Sequence, residues 1–277
     1  MKAIDAVNGT GAGPLSATST IPLRGGGAMP VLGMGTWQLR GQECREAVRT
    51  ALSLGYRHLD TAEMYGNEAE VGAGLRDSGV DRDEVFLTTK VWPQHFRSAA
   101  LRRAADDSLR RLEVAYVDLL LLHWPSDEVP LAETVGALND VAAQGKARAI
   151  GVSNFSVAQL QEAVALSAAP VVCDQVQMHV LNPQTTLRRR ARAEGIAITA
   201  YSPLAKGRLT GHPALTRIGE RYGKSASQVA IRWLLQQDGV SAIPKATREP
   251  NLRANLEVFD FVLDGDDLAA LAALGGA

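Results

Sequence analysis

The feature that most constrains the fold is an alternation of short apolar runs with helical patterns, which begins near residue 31 and continues almost to the end of the 277-residue chain. Eight runs predict strands: Val31–Thr36, Arg57–Thr61, Val85–Lys90, Val117–His123, Arg148–Ser153, Val171–Met178, Ala197–Ser202 and Val240–Lys245. Most of them lack polar alternation, which is typical of strands buried on both faces. Eight β-then-α units in a chain of this length predict an α/β fold, a closed (β/α)8 TIM barrel of about 250 residues.

Amphipathic patterns with a helical period lie between and after these runs. They predict helices over Glu43–Leu54, Glu68–Asp77, Ala99–Leu112, Leu131–Ala143, Val157–Leu166, Gln184–Ala193, Ala214–Arg221, Ala226–Gln237, Asn251–Glu257 and Asp266–Ala273. Ser98, Ser156 and Ser225 stand where N-caps are expected. Ahead of the barrel, Thr20–Leu23 and the segment from Met29 onward flank a glycine-rich turn, which predicts an N-terminal β-hairpin.

An open, doubly wound sheet is the alternative arrangement of such units, and it usually carries a GxGxxG turn after its first strand. Gly33-Met34-Gly35 lacks the third glycine of that turn, which favours the barrel. No linker-like break divides the chain, so residues 21–277 are predicted to form a single domain. Residues 1–20 are rich in Gly, Ala, Ser and Thr without an apolar segment, which predicts a disordered tail rather than a signal peptide.

Charge, hydropathy and cysteine content argue against several classes of partner. A net charge of −1 gives no reason to expect nucleic acid or an anionic membrane, and no apolar run approaches the roughly 20 residues that span a bilayer. Cys44 and Cys173 lie in different predicted elements, which fits a reducing cytoplasm rather than a disulfide framework. The histidines lack the spacing of metal sites, so no metal is predicted.

Four polar residues stand at or just beyond the carboxyl ends of the second, third and fourth predicted strands. They are Asp60, Tyr65, Lys90 and His123. In a (β/α)8 barrel the active site lies at this end, where neighbouring strands bring their end residues together. Each residue alone has an ordinary interpretation, as a cap, a packing residue, a solvent-facing cation or a core imidazole. Their combination predicts a site.

Such a group favours proton-coupled chemistry on a carbonyl. A tyrosine hydroxyl has a pKa of about 10, and a nearby ammonium such as Lys90 stabilises the phenolate and lowers that pKa. A buried ammonium needs a carboxylate partner, which Asp60 supplies. A neutral His123 is able to orient a substrate oxygen, so that Tyr65 donates a proton to this oxygen while hydride reaches the carbon.

Seven motifs are specific in combination: Gly33-Met34-Gly35-Thr36-Trp37, Asp60-Thr61-Ala62 with Tyr65, Thr89-Lys90, Leu122-His123-Trp124-Pro125, Gly151-Val152-Ser153-Asn154-Phe155, Tyr201-Ser202-Pro203-Leu204 and Ile243-Pro244-Lys245. On these motifs the chain resembles the aldo-keto reductase family, and in particular bacterial, short-loop members such as 2,5-diketo-gluconate reductases. The resemblance implies an NAD(P)H-dependent oxidoreductase that reduces aldehydes or ketones to alcohols. Tyr65 would be the proton donor, Lys90 and Asp60 would tune it, and His123 would position the carbonyl.

The resemblance also implies a cofactor site. Residues that would bind the cofactor are Thr36, Trp37, Asp60, Ser153, Asn154, Gln175, Tyr201, Ser202, Leu204, Gly207, Lys245, Ala246, Arg248 and Asn255. Among them, Ser153, Asn154 and Gln175 would hold the nicotinamide carboxamide, and Tyr201 would stack on its ring. Amide-binding groups at strand ends and an aromatic face suit these roles.

The adenine end departs from the family pattern. Ala246 follows Lys245 where Ser is common, and Asn251 stands where an Arg for the 2′-phosphate is common. Lys245 and Arg248 still favour a phosphate by charge. The cofactor is therefore expected to be NADPH, with NADH as the alternative.

By the same resemblance, five residues would bind a small carbonyl substrate: Trp37, Tyr65, Trp92, His123 and Trp124. Phe96 is a further candidate above the site, whereas His95 is expected at the surface. The loops after the fourth and seventh strands look short, and the chain ends at Ala277 without the long tail that closes the pocket in many larger members of the family, so an open site that accepts several aldehydes or ketones is expected. A monomer or weak dimer is the expected state.

Two other functions remain open at this point. The first is a lyase that forms a Schiff base, because a Lys at a barrel strand end is a common nucleophile for that chemistry. The second is a cofactor-binding regulatory subunit without physiological turnover, against which the intact set of Asp60, Tyr65, Lys90 and His123 argues.

Overall fold

A β-hairpin precedes the barrel in the computed structural model, which describes residues 15–275. Strands β1 (Thr20–Pro22) and β2 (Ala28–Pro30) pair antiparallel. The turn between them contains Gly25, Gly26 and Gly27, all with positive φ, a backbone region that side-chain-bearing residues rarely adopt. The predicted hairpin is confirmed.

Eight parallel strands among the described residues form the barrel, in chain order around the sheet. They are β3 (Met34–Gly35), β4 (His58–Asp60), β5 (Phe86–Val91), β6 (Val117–Leu122), β7 (Ala147–Ser153), β8 (Val171–Gln177), β9 (Ala197–Tyr201) and β10 (Val240–Ala242). Leu32, two residues ahead of β3, forms a parallel bridge with Ala242 of β10 and so closes the sheet. The predicted barrel is confirmed, with β3 and β10 shorter than their apolar runs.

Helices cover the outside of the strands. They are α1 (Gly41–Ser53), α2 (Glu68–Asp77), α3 (Ser98–Leu112), α4 (Leu131–Ala143), α5 (Val157–Leu166), α6 (Thr185–Ala193), α7 (Pro213–Tyr222), α8 (Ala226–Leu235), α9 (Glu249–Leu256) and α10 (Gly265–Leu274). Ser156 and Ser225 cap α5 and α8 in full capping boxes, as predicted. The prediction for Ser98 is wrong, because Arg97 is the N-cap of α3 and Ser98 is its first residue. The amide of Ser98 instead donates to the Glu133 carboxylate at 3.0 Å.

The alternating side chains of β6 show how the core is divided. Leu120 and Leu122 belong to the large apolar cluster between the sheet and the helices, whereas Leu119 and Leu121 belong to a smaller cluster inside the barrel. Leu23 and Met29 of the hairpin complete that inner cluster. The hairpin therefore fills the amino-terminal end of the barrel, which leaves the carboxyl end as the place for a site.

Of the predicted disordered tail, residues 1–14 lie outside the described residues. The remaining part has defined contacts, since Leu15 packs against the core and the Val31 amide donates to the Ser19 carbonyl at 3.0 Å. Along residues 15–275, no helix combines the length and apolarity needed to cross a membrane.

Candidate active site

The four residues singled out from the sequence meet at the carboxyl end of the barrel. Asp60 ends β4, Lys90 lies near the end of β5, and His123 directly follows β6. Tyr65 ends a 3-10 turn over Glu63–Tyr65 that follows β4. The Lys90 ammonium donates to Asp60 Oδ1 at 2.6 Å and to the Thr61 carbonyl at 2.8 Å, and it lies 3.4 Å from the Tyr65 hydroxyl.

Burial and charge act in opposite directions on this group. Burial alone would lower the pKa of Lys90, but Asp60 and Tyr65 raise it by more, so the ammonium stays charged. Burial raises the pKa of Tyr65, and Lys90 opposes that shift without cancelling it. The sequence indicates the ammonium that lowers the phenol pKa, whereas the burial that raises it is visible only in the fold. In the fold, Lys90 holds the Tyr65 pKa below the value that burial alone would give.

His123 lies between two aromatic rings. Tyr65 and Trp92 each meet its imidazole edge to face, at centroid distances of 5.6 and 5.1 Å. Burial and the charge of Lys90 lower the pKa of His123 to about 3. The imidazole is therefore neutral at physiological pH and able to donate one hydrogen bond to an uncharged oxygen.

A hydrogen-bonded chain joins this group to strands β7, β8 and β9. Gln175 Nε2 donates to Asp60 Oδ2 at 2.7 Å, so Asp60 bridges Lys90 and Gln175. Ser153 Oγ donates to the Gln175 carbonyl at 2.7 Å, and the Tyr201 hydroxyl donates to Asn154 Oδ1 at 2.8 Å. These contacts fix the polar groups of three strands relative to the Tyr65 hydroxyl.

Asn154 has a structural task besides any contact with a ligand. Its Nδ2 donates to the His123 carbonyl at 3.1 Å and to Ser153 Oγ at 3.0 Å. Its φ of 64° lies in the left-handed region, which Asn tolerates better than most residues. Both amide protons are already used, whereas Oδ1 accepts only from the Tyr201 hydroxyl, so Asn154 is able to accept one further hydrogen bond from a carboxamide.

A cavity of about 310 Å³ opens above these residues. Eleven of the residues predicted to bind cofactor or substrate line it: Trp37, Asp60, Tyr65, His123, Trp124, Ser153, Asn154, Gln175, Tyr201, Ser202 and Lys245. Met64, Gln177 and Lys206 also line the cavity and were not predicted from the sequence. Met64 precedes Tyr65 in the same turn and Lys206 precedes Gly207, so position beside a predicted residue was the available signal.

Other predicted residues lie outside the cavity lining. Thr36 is fully buried and donates to the Asp60 carbonyl at 2.9 Å, so it supports a site residue. Leu204 and Gly207 belong to the loop after β9, next to Lys206. Ala246 is buried and Arg248 is the exposed N-cap of α9.

Asn255 also lies away from the cavity. It is buried in α9, near Tyr56, whose hydroxyl donates to the Leu252 carbonyl of the same helix at 2.9 Å. Its predicted adenine contact stays a prediction, as does the phosphate contact of Arg248.

The aromatic residues differ in their exposure. Trp37 and Trp124 are 41% and 42% exposed, and with Met64 at 44% they form an apolar mouth to the cavity. Trp92 is half-buried against His123. Phe96, a further substrate candidate, is instead part of the large apolar core.

The donor set fits a nicotinamide dinucleotide and offers little to a metal. No group of three metal-binding side chains occurs within residues 15–275. Gln175 uses its amide nitrogen on Asp60, which leaves its Oε1 as an acceptor for a carboxamide, and Tyr201 provides an aromatic ring at the cavity wall. Lys206 and Lys245 place two cations at the same cavity, as phosphates require.

Comparison with known proteins gives consistent matches. A sequence model described as "Aldo/keto reductase family" matches residues 31–275. The glyoxal reductase of Bacillus subtilis (strain 168) is 40% identical over 262 residues, 94% of each chain. The methylglyoxal reductase DkgB of Yersinia pestis is 37% identical over 89% of this chain and 93% of its own. A crystal structure with the provisional name 2,5-diketo-D-gluconic acid reductase B is 47% identical, with a TM-score of 0.87 over 88% of this chain and 87% of that one.

Proposed function

The chain belongs to the aldo/keto reductase family, and from that premise we propose that it reduces the carbonyl group of an aldehyde or ketone with Tyr65 as the proton donor. The observation that carries the proposal is the Tyr65 hydroxyl, 3.4 Å from a buried and charged Lys90 that is paired to Asp60. A nicotinamide cofactor, when bound, supplies the hydride that reaches the carbonyl carbon. The protein supplies the proton and the orientation.

Each residue of the group has a distinct role in this proposal. Neutral His123 donates a hydrogen bond to the carbonyl oxygen and directs it toward Tyr65. Tyr65 transfers its proton to that oxygen as negative charge develops there. Lys90 stabilises the phenolate that remains, and Asp60 keeps Lys90 protonated in a site where burial would otherwise favour the neutral amine.

We also propose that the cofactor is NADPH, with NADH as the weaker alternative. Lys245 and Arg248 are both exposed cations near the end of β10, and Lys245 lines the cavity. Residues Ser153, Asn154, Gln175 and Tyr201 would hold the nicotinamide end. Thr36 and Ala246 would support it from within the fold.

The substrate class follows from the mouth of the cavity. Trp37, Met64 and Trp124 offer exposed apolar surface, which suits an aliphatic or aromatic group attached to the carbonyl. The relatives named after glyoxal and methylglyoxal suggest that small dicarbonyls also fit. We infer tolerance for several substrates. We further infer a monomer or weak dimer in the reducing cytoplasm, where the buried thiols of Cys44 and Cys173 stay free.

The rival Schiff-base chemistry requires a neutral Lys90 as nucleophile. Asp60 and Tyr65 raise the pKa of Lys90 above its ordinary value despite burial, which opposes that role. The raised pKa of Lys90 therefore favours carbonyl reduction over Schiff-base formation.

Tyr65→Phe tests the proposal. This variant removes the proton donor while keeping the ring that meets His123. We expect kcat for carbonyl reduction to fall by at least about 100-fold, within the usual range for a general acid. Cofactor affinity, measured by fluorescence titration, should change little. Retention of wild-type kcat by Tyr65→Phe would refute the assignment, and loss of cofactor binding would point to a role in the cofactor site instead.

A further inference from the structure

A carboxylate beside the site connects two of the loops that build it. Glu63 begins the turn that ends at Tyr65, and its side chain is only 8% exposed. Its Oε1 accepts a hydrogen bond from the Trp92 amide at 2.5 Å. The same oxygen lies 3.0 Å from His95 Nδ1. Glu63 therefore joins the loop after β4 to the loop after β5.

Those two loops carry residues of the proposed mechanism. The loop after β4 carries the Tyr65 hydroxyl, which must stay near Lys90. The loop after β5 begins two residues beyond Lys90 and carries Trp92, whose ring packs on His123 at 5.1 Å. His123 in turn meets the ring of Tyr65. A movement of one loop relative to the other would therefore change how the rings of Tyr65 and Trp92 pack around His123.

The partners of Glu63 are suited to hold the loop after β4 and the loop after β5 together. A hydrogen bond from a backbone amide to a carboxylate is stronger than one between neutral groups, and burial shields it from water. The Trp92 amide lies just beyond β5, which ends at Val91, and its hydrogen-bond acceptor is Glu63 rather than a neighbouring strand. His95, the last residue of the turn over Pro93–His95, contacts the same carboxylate.

We propose that Glu63 is a positioning residue, which fixes the Trp92 loop on the Tyr65 turn and so sets the placement of His123 and Tyr65 for proton transfer. The inference rests on the proposed carbonyl reduction. Glu63 does not line the cavity above Tyr65, so it acts through Trp92 and Tyr65 rather than on the substrate. His95, expected at the surface from the sequence, is the second partner of this carboxylate and is 41% exposed.

Substitution of Glu63 separates positioning from binding. Glu63→Ala removes the acceptor for the Trp92 amide, and a displacement of about 1 Å between reacting groups is able to cost on the order of 100-fold in rate. We expect kcat to fall by roughly 10–100-fold, with the cofactor KM nearly unchanged. Glu63→Gln keeps a carbonyl acceptor at the same reach and should restore most of kcat. His95→Ala keeps the Trp92 hydrogen bond and should lose less than Glu63→Ala.

Glu133 provides a matched control away from the site. Its carboxylate likewise accepts from a backbone amide, that of Ser98 at 3.0 Å, and pairs with a cation, Arg97 at 3.2 Å. Glu133→Ala should leave kcat unchanged. If Glu63→Ala does not fold, Glu63→Met keeps the volume without the acceptor, and the same loss of kcat is expected of it.

A readout that does not depend on turnover tests the contact directly. In ¹⁵N-labelled protein, the Trp92 amide proton should resonate downfield because it donates to a carboxylate, and this shift should disappear in Glu63→Ala and Glu63→Met. Unchanged kcat, or an unchanged Trp92 resonance, would overturn the proposal. If the wild-type protein reduces no carbonyl while the Trp92 shift responds to Glu63, the proposed function is wrong and the junction between the loops is real.

Discussion

At the scale of single residues, the site depends on a charge pair held inside the barrel. Lys90 and Asp60 are almost completely buried, and Lys90 Nζ lies 2.6 Å from Asp60 Oδ1. Gln175 and the Thr61 carbonyl satisfy the remaining polar groups of the pair. A buried pair of this kind adds little net stability, yet the loss of one partner leaves an uncompensated charge.

Lys90→Met should therefore be strongly destabilising. We expect the free energy of unfolding to fall by about 3–5 kcal/mol, because the Asp60 carboxylate loses its counter-charge. Adding Asp60→Asn should recover part of that loss, since the double variant buries no charge at this position. Urea denaturation measures both effects.

Lys146→Met is the matched control for this prediction. Lys146 pairs with Asp106, but both side chains are partly exposed, at 30% and 43%. We expect a loss of about 1 kcal/mol or less from this variant. Equal losses from Lys90→Met and Lys146→Met would contradict the view of Lys90 as a buried, charged group.

Asp174 is a second buried carboxyl, outside the proposed mechanism. It lies on β8, and neither of its oxygens has a hydrogen-bond partner of good geometry within the described part of the chain. Burial raises its pKa well above the ordinary value, and the nearby Phe155 amide lowers it by less. The folded protein therefore holds this proton more tightly than the unfolded chain does.

The pH dependence of stability follows from that difference. As the pH rises above about 4, the unfolded chain loses the Asp174 proton first, and the stability falls until the pH reaches the folded-state pKa. Asp174→Asn should remove this contribution and raise the free energy of unfolding at pH 7, on the order of 1 kcal/mol. Thermal unfolding of both proteins from pH 4 to 8 should show curves that converge at acid pH. A constant difference across that range would mean that Asp174 is not protonated in the fold.

At the scale of elements, close packing between helices depends on glycines whose role the sequence does not reveal. Gly72 and Gly136 both lie inside helices, α2 and α4. A Cβ on Gly72 would lie 2.2 Å from the Leu112 carbonyl, whereas a Cβ on Gly136 would meet nothing within 4 Å. Gly72 therefore permits the contact between α2 and the end of α3.

Alanine at these two positions should change stability in opposite directions. Gly136→Ala should raise the free energy of unfolding by about 0.5–1 kcal/mol, because Ala is the better helix former. Gly72→Ala should lower it by about 1–3 kcal/mol, since the helices must move apart. Chemical denaturation of both variants measures the two changes in the free energy of unfolding. Stabilisation by Gly72→Ala would show that α2 and α3 are able to separate at little cost.

These glycines illustrate what the sequence could predict and what it could not. The apolar runs predicted all eight barrel strands, because burial on both faces leaves a local signal. Ser156 and Ser225 were predicted as caps from another local signal, a serine just before a helical pattern. Ser98 carries the same signal, and the Glu133 carboxylate that accepts from its amide is distant in the chain. The site was predictable where a residue follows a strand, as with Asp60 and His123. Met64, Lys206 and the Glu63 junction depend on how loops pack, for which no periodicity exists.

At the scale of the whole molecule, the proposed cofactor site draws on most of the barrel. Its residues come from the ends of β4, β7, β8 and β9 and from the segment after β10. The bridge of Leu32 to Ala242 closes the ring that holds these segments in register. The unfolded chain has no such arrangement, so a bound cofactor should stabilise only the fold.

NADPH should therefore raise the melting temperature. A ligand at 100 times its Kd adds about 2.7 kcal/mol to the stability of the folded state, which for a chain of this size corresponds to roughly 5–10 °C. NADH at the same concentration should give a smaller shift, because Lys245 and Arg248 would contact the 2′-phosphate that NADH lacks. Lys245→Ala and Arg248→Ala should reduce the NADPH shift toward that of NADH while leaving the NADH shift in place. Equal shifts for both cofactors in the unsubstituted protein would contradict the assignment of these two cations to the 2′-phosphate, and they would leave the reductase geometry around Tyr65 unaffected.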